Sequence, residues 1–318
     1  MPRHANYTPQ GVIPAVLLPF ADDLAIDEKS FRKHLADVAA AEGLSAVTVN
    51  AHSTEVASCS FEEQRRVLEI AQDEIGGRLP LVNGVWADGS IEAARIARMA
   101  DEGGASALLV FPPAPFTLGQ SPAMAVEHFK RIADATSLPL IVFQYPLATG
   151  QGYPRDTLLQ MIEAVPTIRA IKDWAGNVQE HEMHVRTLQA SKRPVNVLTT
   201  HSAWLLSSLV LGCNGLLSGS GSVIADLQAA LFKAVQRNDL AEARRLNDRI
   251  YPLARVFYAE PWADMHNRMK EALVLLGRLP GAVVRPPLVK LGRAEIDRIR
   301  AALVEAGLSS GKAARDAA

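Results

Sequence analysis

Short apolar runs closed by Pro or Gly alternate along this chain with amphipathic stretches of ten to fifteen residues. That is the pattern of strands and helices in β–α units that build a parallel sheet. Eight strands are predicted: VIPAVLL (12–18), SAVTV (45–49), PLVNG (80–84), ALLVF (107–111), PLIVF (139–143), IRAIK (168–172), VNVLT (195–199) and GLLS (215–218). Helices are predicted after each, over 27–41, 61–75, 90–102, 122–135, 155–164, 177–190, 201–211 and 222–236. A doubly wound open sheet also alternates strands with helices, but eight repeats without a Gly-rich dinucleotide fingerprint favour closure into a (β/α)8 barrel. Beyond residue 238 the pattern is helical only, over 239–257, 261–276 and 291–306, with a Pro-rich joint at 280–287 and a polar tail, SSGKAARDAA. The expected layout is a catalytic barrel over 1–238 and a C-terminal three-helix extension over 239–318, both in one structural unit, with a frayed end.

Composition narrows the function classes. Of 318 residues, 48% are hydrophobic and 21% charged, which is globular composition, and the formal net charge is -1. Arginines are scattered, so there is no electrostatic footprint for nucleic acid or an anionic membrane, and a small-molecule partner is expected. The two cysteines, Cys59 and Cys213, have no ligand-like spacing. A reduced pair fits a cytoplasmic protein. MPRHANYTPQG lacks the apolar stretch of a signal peptide, and no apolar run long enough to span a bilayer occurs.

Active sites of such barrels form at the C-terminal strand ends. Three segments stand out there: NAHSTE (50–55), FQYPLATG (143–150) and AIKDWAGN (170–177). Alternation on the sixth strand places Ile168, Ala170 and Lys172 on one face. If that face points inward, Lys172 is desolvated and its pKa falls, the condition an amine needs to attack a ketone and form an iminium. The plainer reading is a lysine that reaches solvent or pairs with Asp173. At the ends of strands seven and eight, Thr199, Thr200, His201 and Ser202, and the run Ser218 to Gly221, suit either ligand binding or helix capping by Ser202 and Ser222. His181 and His184, in HEMH, read as a solvated helix face; with no His and Asp cluster at the strand ends, no metal is expected and a metal-dependent hydrolase is disfavoured.

AIKDWAGN resembles the Schiff-base lysine segment, I-K-[ED]-x-x-[GD], of the dihydrodipicolinate synthase/N-acetylneuraminate lyase family. The likeness extends through GVIPAVLLPF (11–20), the Glu of NAHSTE, the P-x-A-T-G of 146–150 and the helical C-terminus, from residue 11 to about 307. It implies a barrel with a helical extension, a homo-oligomer (usually a tetramer, otherwise a dimer), no metal or organic cofactor, and Lys172 as nucleophile toward a 2-keto acid. His201 and Ser218 then become substrate contacts.

The sequence departs from that family in places that matter. Relatives grip the keto acid's carboxylate with G-[ST]-T-G-E; here the segment is Ala51-His52-Ser53-Thr54-Glu55, leaving the Ser53 hydroxyl and the amides of Ser53 and Thr54 as the anion nest. His52 replaces a proton-relaying hydroxyl, and an imidazole is a competent acid or base near neutral pH. The usual tyrosine of strand five is Phe143, while Tyr145, two residues on, shares its face. Each of His52 and Tyr145 reads either as a proton carrier or as packing. Ala148 stands where the synthases carry an arginine, and Pro113-Ala114 replaces a tyrosine pair. Authentic dihydrodipicolinate synthesis is therefore disfavoured. What remains is a lysine, a carboxylate nest and an apolar pocket expected to be lined by Phe111, Phe116, Phe143 and Trp174, which suits a sugar-acid aldolase or an aryl hydratase-aldolase equally. The expected protein is a class I carbon–carbon or carbon–oxygen lyase producing or using pyruvate. The alternatives are a catalytically weak keto-acid-binding barrel or a synthase with an altered relay.

Overall fold

A computed structural model of the chain describes residue 4 and residues 6–308. The polar tail expected to fray, 309–318, lies outside the described residues. Eight parallel strands follow one another around a ring: β1 (Gly11–Pro14), β2 (Val47–Val49), β3 (Leu81–Val85), β4 (Ala107–Val110), β5 (Leu140–Gln144), β6 (Ile168–Asp173), β7 (Asn196–Thr199) and β8 (Gly215–Ser218). The sheet runs β1-β8-β7-β6-β5-β4-β3-β2, and single bridges, Val12 to Leu44 and Ala15 to Thr48, close it into the expected (β/α)8 barrel. The outer helices are α1 (Glu28–Ala39), α2 (Phe61–Glu74), α3 (Ser90–Glu102), α4 (Pro122–Ala133), α5 (Arg155–Ala164), α6 (Val178–Leu188), α7 (Leu205–Val210) and α8 (Gly221–Gln236).

Strands of such a barrel are covered on both faces, which is why they read as apolar runs without alternation. Ile13, Val82, Leu109, Ile141, Leu198 and Leu217 fill the barrel interior, while Val12, Leu108, Leu140, Ile171, Val197 and Leu216 meet the helices. Local signals set the helix starts. Ser60 and Glu63 form a reciprocal capping box on α2, and Asp27 and Asn177 cap α1 and α6.

One register expectation fails. The pairing of β5 with β6 shifts between Leu140 and Ile141, so Arg169 emerges to solvent and Ile168 joins the outer core, leaving Ala170 and Lys172 to point inward. A bulge adds one residue and resets the alternation.

Three further helices, α9 (Leu240–Phe257), α10 (Met265–Leu275) and α11 (Arg293–Glu305), share the outer core through Ile250, Phe257, Met269 and Leu303. Helix α10 is buried all round from His266 to Leu273, including Arg268 and Lys270. Buried cations need partners, and Arg268 has them in Glu295 and the carbonyls of Phe257, Ala259 and Pro261. Among the described residues no helix is long and apolar enough to cross a membrane.

Candidate active site

Lys172 stands at the inward end of β6, beside Phe143 of β5, its register partner. Its Nζ lies 4.0 Å from the centre of the Phe143 ring. The residue is 5% exposed and forms no ion pair among the described residues, so burial lowers its pKa to about 7. Asp173 is not its partner, because the next residue of a strand points to the other face. The lysine opens into a cavity of about 240 Å3 whose wall includes His52, Ser53, Trp174, Trp204, Trp262 and His266.

His52 and Tyr145 meet in this interior, Tyr145 Oη 2.9 Å from His52 Nε2. The His52 ring is packed among Trp86, Phe111 and Phe143, at centroid distances of 5.2, 4.8 and 5.7 Å. Burial, assisted by the charge of Lys172, depresses its pKa to about 3. Burial likewise pushes the Tyr145 phenol up. The expectation of an imidazole titrating near neutrality is thereby corrected: His52 is a neutral ring within hydrogen-bond distance of the Tyr145 phenol.

Ser53 presents a buried hydroxyl without a hydrogen-bond partner, on the cavity wall. Thr54 does not extend the expected nest. Its amide and hydroxyl both donate to the Ala51 carbonyl, at 3.1 and 2.7 Å. Glu55 sits in the left-handed region, at φ 50°, and holds this turn from outside. Its carboxylate accepts from Lys270 Nζ of α10 at 2.5 Å and from the Arg285 amide at 3.0 Å.

The loops after β7 and β8 differ from expectation. His201 lines the cavity with its ring, stacked on Trp204 at 4.0 Å, but its Nε2 is buried 3.9 Å from Asp173 Oδ1. Ser218 is no cavity residue; its hydroxyl bonds to Ser202, Ser220 and Gln228. Ser202 and Ser222 cap no helix: Ser222 accepts from the Leu17 amide and bonds to His34. Phe116 lies in the outer core against Tyr153, and Phe111 packs on His52 without reaching the cavity wall.

His181 and His184 are not solvated. Both are buried, and both Nδ1 atoms reach Asp173 Oδ2, at 2.8 and 3.0 Å. The strand ends therefore do gather His and Asp, behind β6, contrary to the expectation. Burial opposes charge at both partners, yet the hydrogen bonds from His181 and His184 hold the Asp173 carboxyl well below its usual range, and the bond to Asp173 raises His181 to about 9. The polar residues read as a surface face at helical spacing; the core they meet is carried by β6 and α7.

His266, Tyr258 and Trp262, in and before α10, also line the cavity and carry no sequence motif. The approach of His266 depends on Gly219, where a Cβ would stand 2.9 Å from His266 Nε2. His266 is held neutral by burial and by the neighbouring His52 and Lys172.

This arrangement has relatives. The chain is 29% identical over 298 residues to the 4-hydroxy-tetrahydrodipicolinate synthase of Dechloromonas aromatica, covering 94% of this chain and 98% of that one. It is 28% identical to the enzyme of the same name from Methanopyrus kandleri, covering 94% and 97%. Among solved structures it is similar to YagE, an Escherichia coli K12 prophage protein of the dihydrodipicolinic acid synthase family in complex with pyruvate, with TM-score 0.87, 24% identity and coverage of 96% and 100%. It is also similar to the dihydrodipicolinate synthase of Thermotoga maritima, with TM-score 0.88, 20% identity and coverage of 95% and 100%. Residues 8–306 match the Dihydrodipicolinate synthetase family, and the chain belongs to that family, whose members are class I lyases.

Proposed function

We propose that the protein is a Schiff-base lyase for a 2-keto acid, with Lys172 as nucleophile, and that pyruvate is produced or consumed. The observation that carries this reading is a buried, unpaired lysine, with a pKa near 7, opening into a cavity beside an orphaned hydroxyl. The neutral amine attacks the ketone, the carbinolamine loses water, and the resulting iminium withdraws electrons while a carbon–carbon or carbon–oxygen bond breaks. Ser53 takes the keto acid's carboxylate. Tyr145, oriented by the neutral His52 ring, moves the proton, its phenolate stabilised by the cationic iminium. YagE, a relative in fold, has been seen with pyruvate, which favours the same substrate class here.

The cavity favours an uncharged substrate tail. Its wall carries Trp174, Trp204, Trp262 and Tyr258 and, among the described residues, no lysine or arginine besides Lys172, so a second carboxylate would lack a partner. Phe143 in place of a proton-carrying tyrosine supports a second reading, a keto-acid-binding barrel with weak turnover. Two free cysteines accord with a reducing cytoplasm.

Incubation with pyruvate and borohydride, followed by intact mass and peptide mapping, tests the chemistry. A reduced pyruvyl adduct on Lys172 is expected. No adduct, or one on another lysine, would remove the mechanism; an adduct with no turnover on any keto acid would favour the binding barrel.

A further inference from the structure

The polar cluster behind β6 has no part in the chemistry proposed for Lys172. Asp173 closes β6, His181 and His184 lie one turn apart on α6, and His201 follows β7. All four are buried, with relative exposures of 0, 0, 2 and 4%. Three imidazoles thus converge on one carboxylate inside the protein.

Hydrogen bonding explains only part of this. Asp173 Oδ2 accepts from Nδ1 of His181 and His184, and Oδ1 accepts from the Ala175 amide at 2.8 Å. Among the described residues His201 Nε2 has no hydrogen-bond partner; it is buried 3.9 Å from Oδ1. A buried polar atom in that condition costs about 1–3 kcal/mol. A cation at the centre of the cluster would take its lone pair.

We propose that Asp173, His181 and His201 bind a divalent transition-metal ion of the zinc class, with His184 hydrogen-bonded to the Asp173 carboxylate beside it. Neutral imidazole and carboxylate are its usual ligands, and three protein ligands would leave the fourth tetrahedral position to water. Ligands about 2.0–2.1 Å from zinc in tetrahedral array stand roughly 3.3 Å from one another. His181 Nδ1 lies 2.8 Å from Asp173 Oδ2 and His201 Nε2 lies 3.9 Å from Oδ1, and the donor atoms of Asp173, His181 and His201 all lie within 4.8 Å of one another. The outer partner is in place as well. Ser208 Oγ lies 2.7 Å from His181 Nε2, so a proton on that nitrogen can be donated to the serine while Nδ1 faces the ion.

The ion would tie β6, α6 and the loop after β7 together from behind the Lys172 strand. It stands independently of the Schiff-base reading, since none of its chemistry passes through the lysine.

Protein freed of metal with a chelator is dialysed against Zn2+ or Co2+, and metal content and visible absorption are measured. One ion per chain is expected, with the strong d–d bands of tetrahedral Co2+. His201→Ala should lose both, and Ser208→Ala should weaken binding by about 10-fold to 100-fold, each with unchanged circular dichroism. The proposal is overturned if the parent binds no stoichiometric metal, if the Co2+ complex is octahedral, or if His201→Ala and Ser208→Ala bind as the parent does.

Discussion

The Tyr145 phenol and His52 Nε2, 93 residues apart in sequence, stand 2.9 Å from each other in the barrel interior. Neither group is suited to carrying charge there, since burial raises one pKa and lowers the other to about 3. In the proposed mechanism Tyr145 exchanges the proton with the substrate, its phenolate stabilised by the cationic iminium, while His52 stays neutral and orients the phenol. Removing either member should cost about 10²–10⁴-fold in turnover, and the double substitution little more than the worse single one, because residues that act as a unit are not additive. Comparing steady-state rates with borohydride trapping for His52→Ala, Tyr145→Phe and the double variant checks this. Trapping should survive in all three; turnover equal to the parent's in every variant would show that protons travel another way.

Adduct formation should follow the Lys172 amine. Its trapping rate is expected to rise with pH through about 7 and then level off, because only the neutral amine attacks. An inflection near the ordinary lysine value would contradict the burial of this side chain.

The same shift bears on stability. Between pH about 7 and 10.5, the ordinary lysine value, the unfolded chain holds a proton on this lysine that the folded protein does not, so folding gains stability as pH rises across that window. Lys172→Met removes the cost of burying the amine. We expect it to abolish trapping and to unfold a few degrees above the parent below pH 7, with the difference narrowing toward pH 10. A lower melting temperature throughout would mean that the lysine stabilises the barrel by contacts absent here.

The turn that carries His52 and Ser53 is held by the buried Glu55–Lys270 pair, whose side chains are 6 and 0% exposed. Taking one partner away strands the other charge, at about 3–5 kcal/mol. Lys270→Met is therefore expected to lower stability in urea unfolding by that order. Adding Glu55→Gln should restore part of the loss. No recovery in the double variant would place the cost in packing against Phe20, over whose ring Lys270 Nζ lies at 4.4 Å.

Condensation of pyruvate with aspartate semialdehyde should be poor. Ala148 offers no cation, and a charge-assisted contact is worth roughly 1.5–3 kcal/mol, about tenfold to a hundredfold in rate. A coupled assay showing rates equal to those of the relatives would overturn this.

Several parts of the molecule were legible in the chain itself. Eight apolar runs spaced by amphipathic helices specify a closed parallel barrel, because a strand covered on both faces must be apolar on both. AIKDWAGN places a lysine at a strand end, where such barrels form their sites, and Lys172 is buried on the cavity wall there. Gly150, at φ 76°, ends the P-x-A-T-G turn as its sequence position suggests.

What only the tertiary structure decided lies in contacts between distant segments. The β6 bulge, invisible to a period of two, puts Ile168 outside and keeps Lys172 inside. Polar residues at helical spacing in HEMH signal a wet face, yet Asp173 and Ser208 arrive from a strand and another helix to satisfy them in the core. His266 and Lys270 reach the barrel mouth from an extension with no motif of its own. Local pattern fixes which face of an element is apolar; whether a polar group on it is buried depends on partners supplied from elsewhere in the chain, and those are set by the packed fold.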